Sequence, residues 1–333
     1  DLFIPASDFS SGYDDNSSMM VNRRLLCFWL FFINATTIER TAAFSTAAKH
    51  TQTPIPPGIL GPPEPLKSLQ VGQTLNAFRS VVLPSDDNDD DINPQKVDFS
   101  IERVATSPNI FCLRNFVTPS ECKQIQALAE ESGMKTAETV TKGDTSSRKN
   151  CSVAWIPSSG PDGSSIVRGL VAPTVNIFLS DAVKSDPSAG VEDLQILKYG
   201  VGGEFVHHQD GECRILTVIY YINGVGGTWF PLADRNDGEI PKNKARALEL
   251  VENLEPGKHG IFFKGGSSSS NSIEDENNIK HTVLVNKGDA VAFYNYRDEG
   301  SAQLDWTALH CGSPTDETKW IANHWYRLNE SNY

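Results

Sequence analysis

The sequence lacks any C-x-x-C pair. Its six cysteines, Cys27, Cys112, Cys122, Cys151, Cys213 and Cys311, stand far apart, so neither a zinc ribbon nor a thioredoxin motif is available. Positive charge is also in deficit: 29 basic against 42 acidic residues give a formal net charge of -13. Without a basic stripe to neutralise phosphates, nucleic acid is not an expected partner. Part of the negative charge is one run, Asp86, Asp87, Asp89, Asp90 and Asp91, which reads as solvated linker. Internal repeats are absent. The apolar run from Leu25 to Ile33 is too short to span a bilayer comfortably.

That run nevertheless has a context. Arg23 and Arg24 precede it and the small residues Ala42 and Ala43 follow, the layout of a secretory signal. Residues 19–43 are therefore expected to be a signal peptide or a short signal anchor, which leaves membrane association through this segment open. A signal normally begins a chain, so residues 1–18 read as a non-native extension. The expected destination is the secretory pathway and endoplasmic reticulum. Phe44, directly after Thr41-Ala42-Ala43, also matches the junction used by plastid-bound proteins of algae with complex plastids, the alternative compartment. Loss of Cys27 with the signal leaves five cysteines, enough for at most two disulfides. Asn150-Cys-Ser and Asn329-Glu-Ser are glycosylation sequons.

Residues 44–97 are Pro-rich and then acidic, and read as a linker with polyproline character. The folded domain is expected over 98–333. In "TPSECKQIQALAEE" Thr118 caps, Pro119 takes the first helical position and Glu121 closes a capping box. A second helix is expected from about Ser164 to Leu179, kinked or broken at Pro173. After Leu194 the period changes to short β-branched and aromatic runs separated by Gly, Asn and Asp. Helices first and strands after imply an α+β fold whose core is a β-sandwich or jelly roll, and the expected form is a double-stranded β-helix (jelly roll) with N-terminal flanking helices. The charged, serine-rich text over 232–280 reads as an insertion at the barrel mouth.

Within "EFVHHQDGECR" strand alternation sends His208 and Asp210 to one face and Phe205, His207 and Gln209 to the other. The adjacent histidines therefore cannot both serve one site. A His and a carboxylate at i and i+2, completed by a distant His, make a facial triad that leaves positions open on a non-haem iron. A second histidine with its own context, His310 in "LHCGSPTDETKW", follows Asp210 by 100 residues, and Lys319 lies on the next strand. No H-E-x-x-H accompanies these residues, which weakens a zinc-hydrolase reading.

From Asn109 to Leu328 the sequence resembles the 2-oxoglutarate and Fe(II)-dependent dioxygenases of the prolyl 4-hydroxylase (alpha subunit) family. The resemblance runs, in order, through "NIFCLRNFVTPSEC", "SSRKNCSVAW", "LQILKYGVGGEFVHHQD", "RILTVIYYING", "GGTWFP", "VNKGDAVAFYN" and "ALHCGSPTDETKW". It implies His208, Asp210 and His310 as iron ligands and Lys319 as the partner of the far carboxylate of 2-oxoglutarate. Tyr221 and Tyr199 match the family's cosubstrate tyrosines, while Trp325 and Thr217 are candidate walls of the site. O2 is the other cosubstrate and L-ascorbate the reductant. The implied reaction hydroxylates peptidyl proline, with succinate and CO2 as co-products, and the implied partner is a proline-containing peptide or protein. Oligomeric state is not implied. Asp210 separates this pattern from halogenating relatives, which lack that carboxylate. Three departures stand out: one residue fewer between His310 and Lys319, the long insertion, and Phe205 and His207 where many relatives have Tyr and Pro. The alternatives are hydroxylation of another side chain or a small molecule, and a non-catalytic metal-binding jelly roll. His50, His259, His281 and His324 read as surface or supporting residues, and Cys213 with Cys311 as a disulfide or as packing.

Overall fold

Alternation along the strands sets the layers of this molecule. A computed structural model describes residues 59–81, 95–138, 147–160, 163–187, 189–211, 213–235, 237–265, 281–298 and 303–328. In chain order these contain β1 (Thr74–Val81), β2 (Gln95–Thr106), β3 (Asn109–Arg114), α1 (Pro119–Glu131), β4 (Lys135–Thr136), β5 (Arg148–Ile156), α2 (Ser165–Phe178) and α3 (Asp181–Ser185). There follow β6 (Gly190–Val191), β7 (Leu194–His208), β8 (Arg214–Tyr221), β9 (Thr228–Phe230), α4 (Lys244–Val251), β10 (Ile261–Lys264), β11 (Thr282–Leu284), β12 (Ala290–Tyr294), β13 (His310–Gly312) and β14 (Lys319–Arg327).

The strands form one curled sheet in the order β1-β2-β3-β12-β8-β14-β7-β13-β9-β10-β11, with β5 and β4 extending from β7. The long strand β7 turns the corner. Its first half, Leu194 to Tyr199, pairs with β14 and β5, and its last residues pair with β13. Neighbours run antiparallel except β10 and β11. This is the expected jelly roll with helices preceding it.

Residues of β8 divide the core in two. Leu216, Val218 and Tyr220 pack toward Ile125 of α1 and Leu170 and Phe178 of α2, while Ile219 and Tyr221 face the barrel interior with Leu197, Tyr199, Phe230, Phe263, Phe293 and Ile321. Each such side chain, fully buried, contributes about 1.5–3 kcal/mol. The capping box at Thr118 forms as expected. Helix α2, by contrast, continues through Pro173. Proline inside a helix costs ~3 kcal/mol, but Val167, Leu170, Ile177 and Phe178 are all buried on this helix, and their packing holds it together.

Two expected boundaries are corrected. Within the expected linker 44–97, residues 59–81 fold onto the domain: Leu60 and Leu66 are buried, and β1 pairs residue for residue with β2. The anchor is Arg79, 1% exposed, which makes a two-pronged ion pair with the equally buried Glu121 of the α1 cap and donates from Nε to the Phe116 carbonyl (2.7 Å). The expected insertion 232–280 is likewise partly structural, since α4 lies within it and β10 within it joins the sheet beside β9. The signal segment 19–43, the preceding 1–18, the acidic run and residues 266–280 lie outside the described residues. No helix among the described residues is long and apolar enough to cross a membrane.

Candidate metal centre

His208 ends β7 and His310 begins β13, and the two residues are register partners. From His310 to Gly312 is two steps, whereas the matching stretch from His208 to Phe205 is three, so β7 carries a bulge. A bulge slips the alternation by one residue. Phe205 therefore does not join His207 on the far face as strict alternation requires. Its ring stacks on His208 with centroids 3.7 Å apart, and the Arg148 guanidinium lies 4.2 Å from the Phe205 centroid on β5. His207 does face away, edge-on to Trp229 at 5.5 Å.

Asp210 lies two residues past the end of the strand. One ligating atom each from His208, Asp210 and His310 lie within 4.8 Å of one another. His208 Nε2 is 3.6 Å from Asp210 Oδ1, and His310 Nε2 is 3.8 Å from Asp210 Oδ2. The opposite ring nitrogens are engaged by backbone: His208 Nδ1 with the Val206 carbonyl (2.9 Å) and His310 Nδ1 with the Ala308 carbonyl (3.0 Å). A carbonyl requires a donor, so Nδ1 carries the proton and Nε2 keeps its lone pair for the centre. Phe230 stacks on His310 and Phe293 meets it edge-on, with centroids at 5.2 and 4.9 Å.

Burial, and next the neighbouring His310, push the His208 pKa below its ordinary value despite Asp210 nearby. Burial alone would raise the Asp210 pKa, but His310 and His208 outweigh it and hold the carboxyl below its usual range. A neutral imidazole and an ionised carboxylate are the states in which these groups bind metal. Two imidazole nitrogens and one carboxylate oxygen, converging from one side, fit a first-row divalent ion with open positions.

Along β14 from this cluster lies Lys319, 1% exposed. Its ammonium sits 4.6 Å from the Tyr199 ring centroid and donates to the Ser313 carbonyl (3.2 Å). Desolvation pushes its pKa down to about 8, against smaller raising effects from Cys311 and Cys151, and no carboxylate is among its causes. Tyr221, 0% exposed, has a hydroxyl with no hydrogen bond of ordinary geometry, though Thr228 is close enough to influence it. Gly227, at φ +107, passes beside this end; a Cβ there would stand 3.0 Å from the Ser313 carbonyl oxygen and 3.5 Å from Lys319 Nζ. A buried cation and an unsatisfied hydroxyl in one place suit a ligand carboxylate.

Trp325 and Thr217 are partners across β14 and β8, on the Asp210 side. Thr217 Oγ1 donates to Asp210 Oδ2 (2.9 Å), so it holds the carboxylate as well as lining the site. The Trp325 indole N–H makes no hydrogen bond of ordinary geometry, yet lies near enough to Asp210 to favour its ionised form. Arg214 covers the Trp325 ring at 4.0 Å and Trp155 packs against it at 6.0 Å.

The other described histidines stay away from the cluster. His259 accepts from the Glu255 amide and His281 pairs with the Gly260 carbonyl. His324 is not a surface residue: it is 0% exposed and bonds Ser158 and Tyr220. Cys213, Cys311 and the three other described cysteines are free, so Cys213 and Cys311 form no disulfide. Sequence reasoning missed Phe230, Phe293 and Asn295. Asn295, 0% exposed, donates to Thr217 Oγ1 (2.9 Å); its one signal in the sequence is a polar residue closing the apolar run "AVAFYN".

Residues 194–327, the stretch from β7 through β14, match the family model described as the 2OG-Fe(II) oxygenase superfamily. The chain is 28% identical over 257 residues to prolyl 4-hydroxylase 2 of Arabidopsis thaliana, covering 72% of each. It is 28% identical over 171 residues to the transmembrane prolyl 4-hydroxylase of Mus musculus, a match covering 42% of this chain and only 30% of that protein. Among solved structures, the viral collagen prolyl hydroxylase vCPH of Paramecium Bursaria Chlorella virus-1 aligns at 18% identity and a TM-score of 0.40, over 66% of this chain and 96% of the other. Residues 194–327 thus match a 2OG-Fe(II) oxygenase domain, and over 72% of its length the chain is similar to a protein named as a prolyl 4-hydroxylase.

Proposed function

We propose that this chain is an Fe(II)- and 2-oxoglutarate-dependent dioxygenase that hydroxylates peptidyl proline and releases succinate and CO2. The observation that carries the reading is the pairing of two features in one barrel: a His-Asp-His donor set and a buried lysine with no acidic partner among the described residues. His208 and His310 offer Nε2 and Asp210 a carboxylate oxygen to the metal. Bound Fe(II) supplies the O2 activation that couples decarboxylation of 2-oxoglutarate to hydroxylation of a C–H bond. Lys319 neutralises the far carboxylate of 2-oxoglutarate, and the Tyr221 hydroxyl donates to it, so the buried charges are satisfied only when the cosubstrate is present. Tyr199 keeps water from the ammonium with its ring. The phenyl rings of Phe230 and Phe293 hold His310 in one orientation and keep that side of the centre dry. Trp325 and Thr217 wall the Asp210 side.

A proline-containing peptide is the partner this reading assigns, supported by relatives named as prolyl 4-hydroxylases. L-ascorbate serves as reductant. The signal-like layout over 19–43 supports action in the secretory pathway, on peptides in the endoplasmic reticulum. The substrate assignment is tested with a panel of proline-rich peptides, proline-free peptides and small amino acids, located by mass analysis of the product. Hydroxyl is expected on proline within peptides. Hydroxylation of another side chain or of a free small molecule, with proline-rich peptides untouched, would refute it.

A further inference from the structure

The carboxylate of Asp210 sits just past the end of a strand, where the β7–β13 ladder no longer holds it. Something else must fix its orientation, and the bonds converge on one buried residue. Thr217 Oγ1 donates to Asp210 Oδ2 (2.9 Å), and Asn295 Nδ2 donates to that same Oγ1 (2.9 Å). On the other side, Gln209 Nε2 donates to the Asn295 carbonyl (3.0 Å), while Gln209 Oε1 accepts from the Gly211 amide (2.6 Å). Gln209 and Gly211 are the two chain neighbours of Asp210. Asn295 is thus tied to Asp210 twice, through its side chain by way of Thr217 and through its backbone by way of Gln209.

Asn295 is itself anchored. Its amide donates to the Ile215 carbonyl (3.0 Å), and its carbonyl also accepts from the Asp305 amide (2.8 Å). The rigid edge of β12 and β8 is in this way transferred to a residue that lies in a turn.

The chain also has a polarity. A threonine hydroxyl has one proton and two lone pairs, an ionised carboxylate has no proton, and an amide nitrogen is donor only. Because Asn295 Nδ2 donates to Thr217, the single Thr217 proton has no better acceptor than Asp210 Oδ2. Donation to Oδ2 favours the ionised carboxylate and sets its rotation, leaving Oδ1, the oxygen 3.6 Å from His208 Nε2, free of this bond.

We propose that Asn295 is a positioning residue for Asp210, acting through Thr217 and Gln209 so that the carboxylate meets the metal in one orientation. This rests on the metal reading of the His208, Asp210 and His310 cluster. Loss of hydrogen-bonded partners behind a metal ligand typically costs about 10–100-fold in affinity.

Co(II) is the probe, titrated into the metal-free full chain and followed by its visible absorption, which reports both affinity and ligand geometry. Asn295→Asp keeps the size of the side chain but replaces the donor with an acceptor that competes for the Thr217 proton. It is expected to weaken Co(II) binding by about tenfold or more and to change the spectrum. Thr217→Val, of matching shape without the hydroxyl, should do the same, and Thr217→Ser should restore wild-type affinity. The double variant Asn295→Asp with Thr217→Val should be no weaker than Thr217→Val alone, because the two act in series. The Michaelis constant for 2-oxoglutarate, carried by Lys319, should move far less than Co(II) affinity. Wild-type affinity and spectrum in both Asn295→Asp and Thr217→Val would overturn the proposal, as would fully additive losses in the double variant. Should Asn295→Asp fail to fold, the Thr217→Val and Thr217→Ser pair decides: equal affinities overturn it. A folded wild-type chain that takes no Co(II) would instead overturn the metal reading beneath it.

Discussion

At the scale of single residues, Lys319 is the buried cation on which a direct electrostatic test can be made. Its ammonium is buried, its pKa is pushed down to about 8, and its nearest contacts are a carbonyl and an aromatic ring. Protonated Lys319 binds a carboxylate and neutral Lys319 does not. The affinity for 2-oxoglutarate is therefore expected to fall as pH rises through about 8, ultimately by about a factor of ten per pH unit. Stability of the ligand-free protein should move the other way. Between about 8 and the ordinary 10.5 the unfolded chain holds a proton that the folded one has lost, so this residue adds stability as pH rises across that window. Lys319→Ala should weaken 2-oxoglutarate binding severely and abolish its dependence on pH in this window. Isothermal titration at a series of pH values checks both, and an unchanged affinity in the variant would mean that another cation binds the cosubstrate. The convergence of His208, Asp210 and His310 was legible at this scale, from residue types, spacing and resemblance. The place of Phe205 was not, because one extra residue in β7 reverses the face that alternation assigns, and nothing in "EFVHH" marks a bulge. Asn295 was equally hidden, since its role depends on Thr217 and Gln209 meeting it from elsewhere in the chain.

At the scale of elements, β1 is the instructive miss. "TLNAFRSV" alternates as a strand should, with Ala77, Arg79 and Val81 inward, but an arginine at an inward position disguises the pattern, and Pro-rich and acidic text flanks it. The charge is tolerated there because Glu121, the residue that closes the α1 capping box, meets it. One carboxylate thus serves a helix start and a strand dock. Arg79→Ala leaves Glu121 buried without a counter-charge, which costs about 3–5 kcal/mol. Chemical denaturation should register that loss, together with release of residues 59–81 to proteolysis; a change under about 1 kcal/mol would mean that β1 is held by its ladder with β2 alone. A protein begun at Asp98, where composition suggests the domain starts, should be less stable still. Helix α1 was legible because its capping box is local. Helix α4, capped by Asn243 inside the expected insertion, was not, and at Pro173 burial of the surrounding apolar face, invisible to a local rule, keeps α2 continuous.

At the scale of the whole molecule, the jelly roll was legible because short runs punctuated by Gly, Asn and Asp recur after Leu194 on both sides of the 232–280 stretch. Their order in the sheet was not, since pairing partners such as β7 and β13 lie more than 100 residues apart in sequence. Closure of that pair is what brings His310 to His208 and makes a centre from two separate motifs. Turnover is the direct test of the metal and cosubstrate assignment. Succinate release from 2-oxoglutarate with Fe(II) should be stimulated by a proline-rich peptide in the wild-type protein and lost in His310→Ala. Full activity in His310→Ala, or no 2-oxoglutarate turnover by the folded wild-type protein under any peptide, would contradict it.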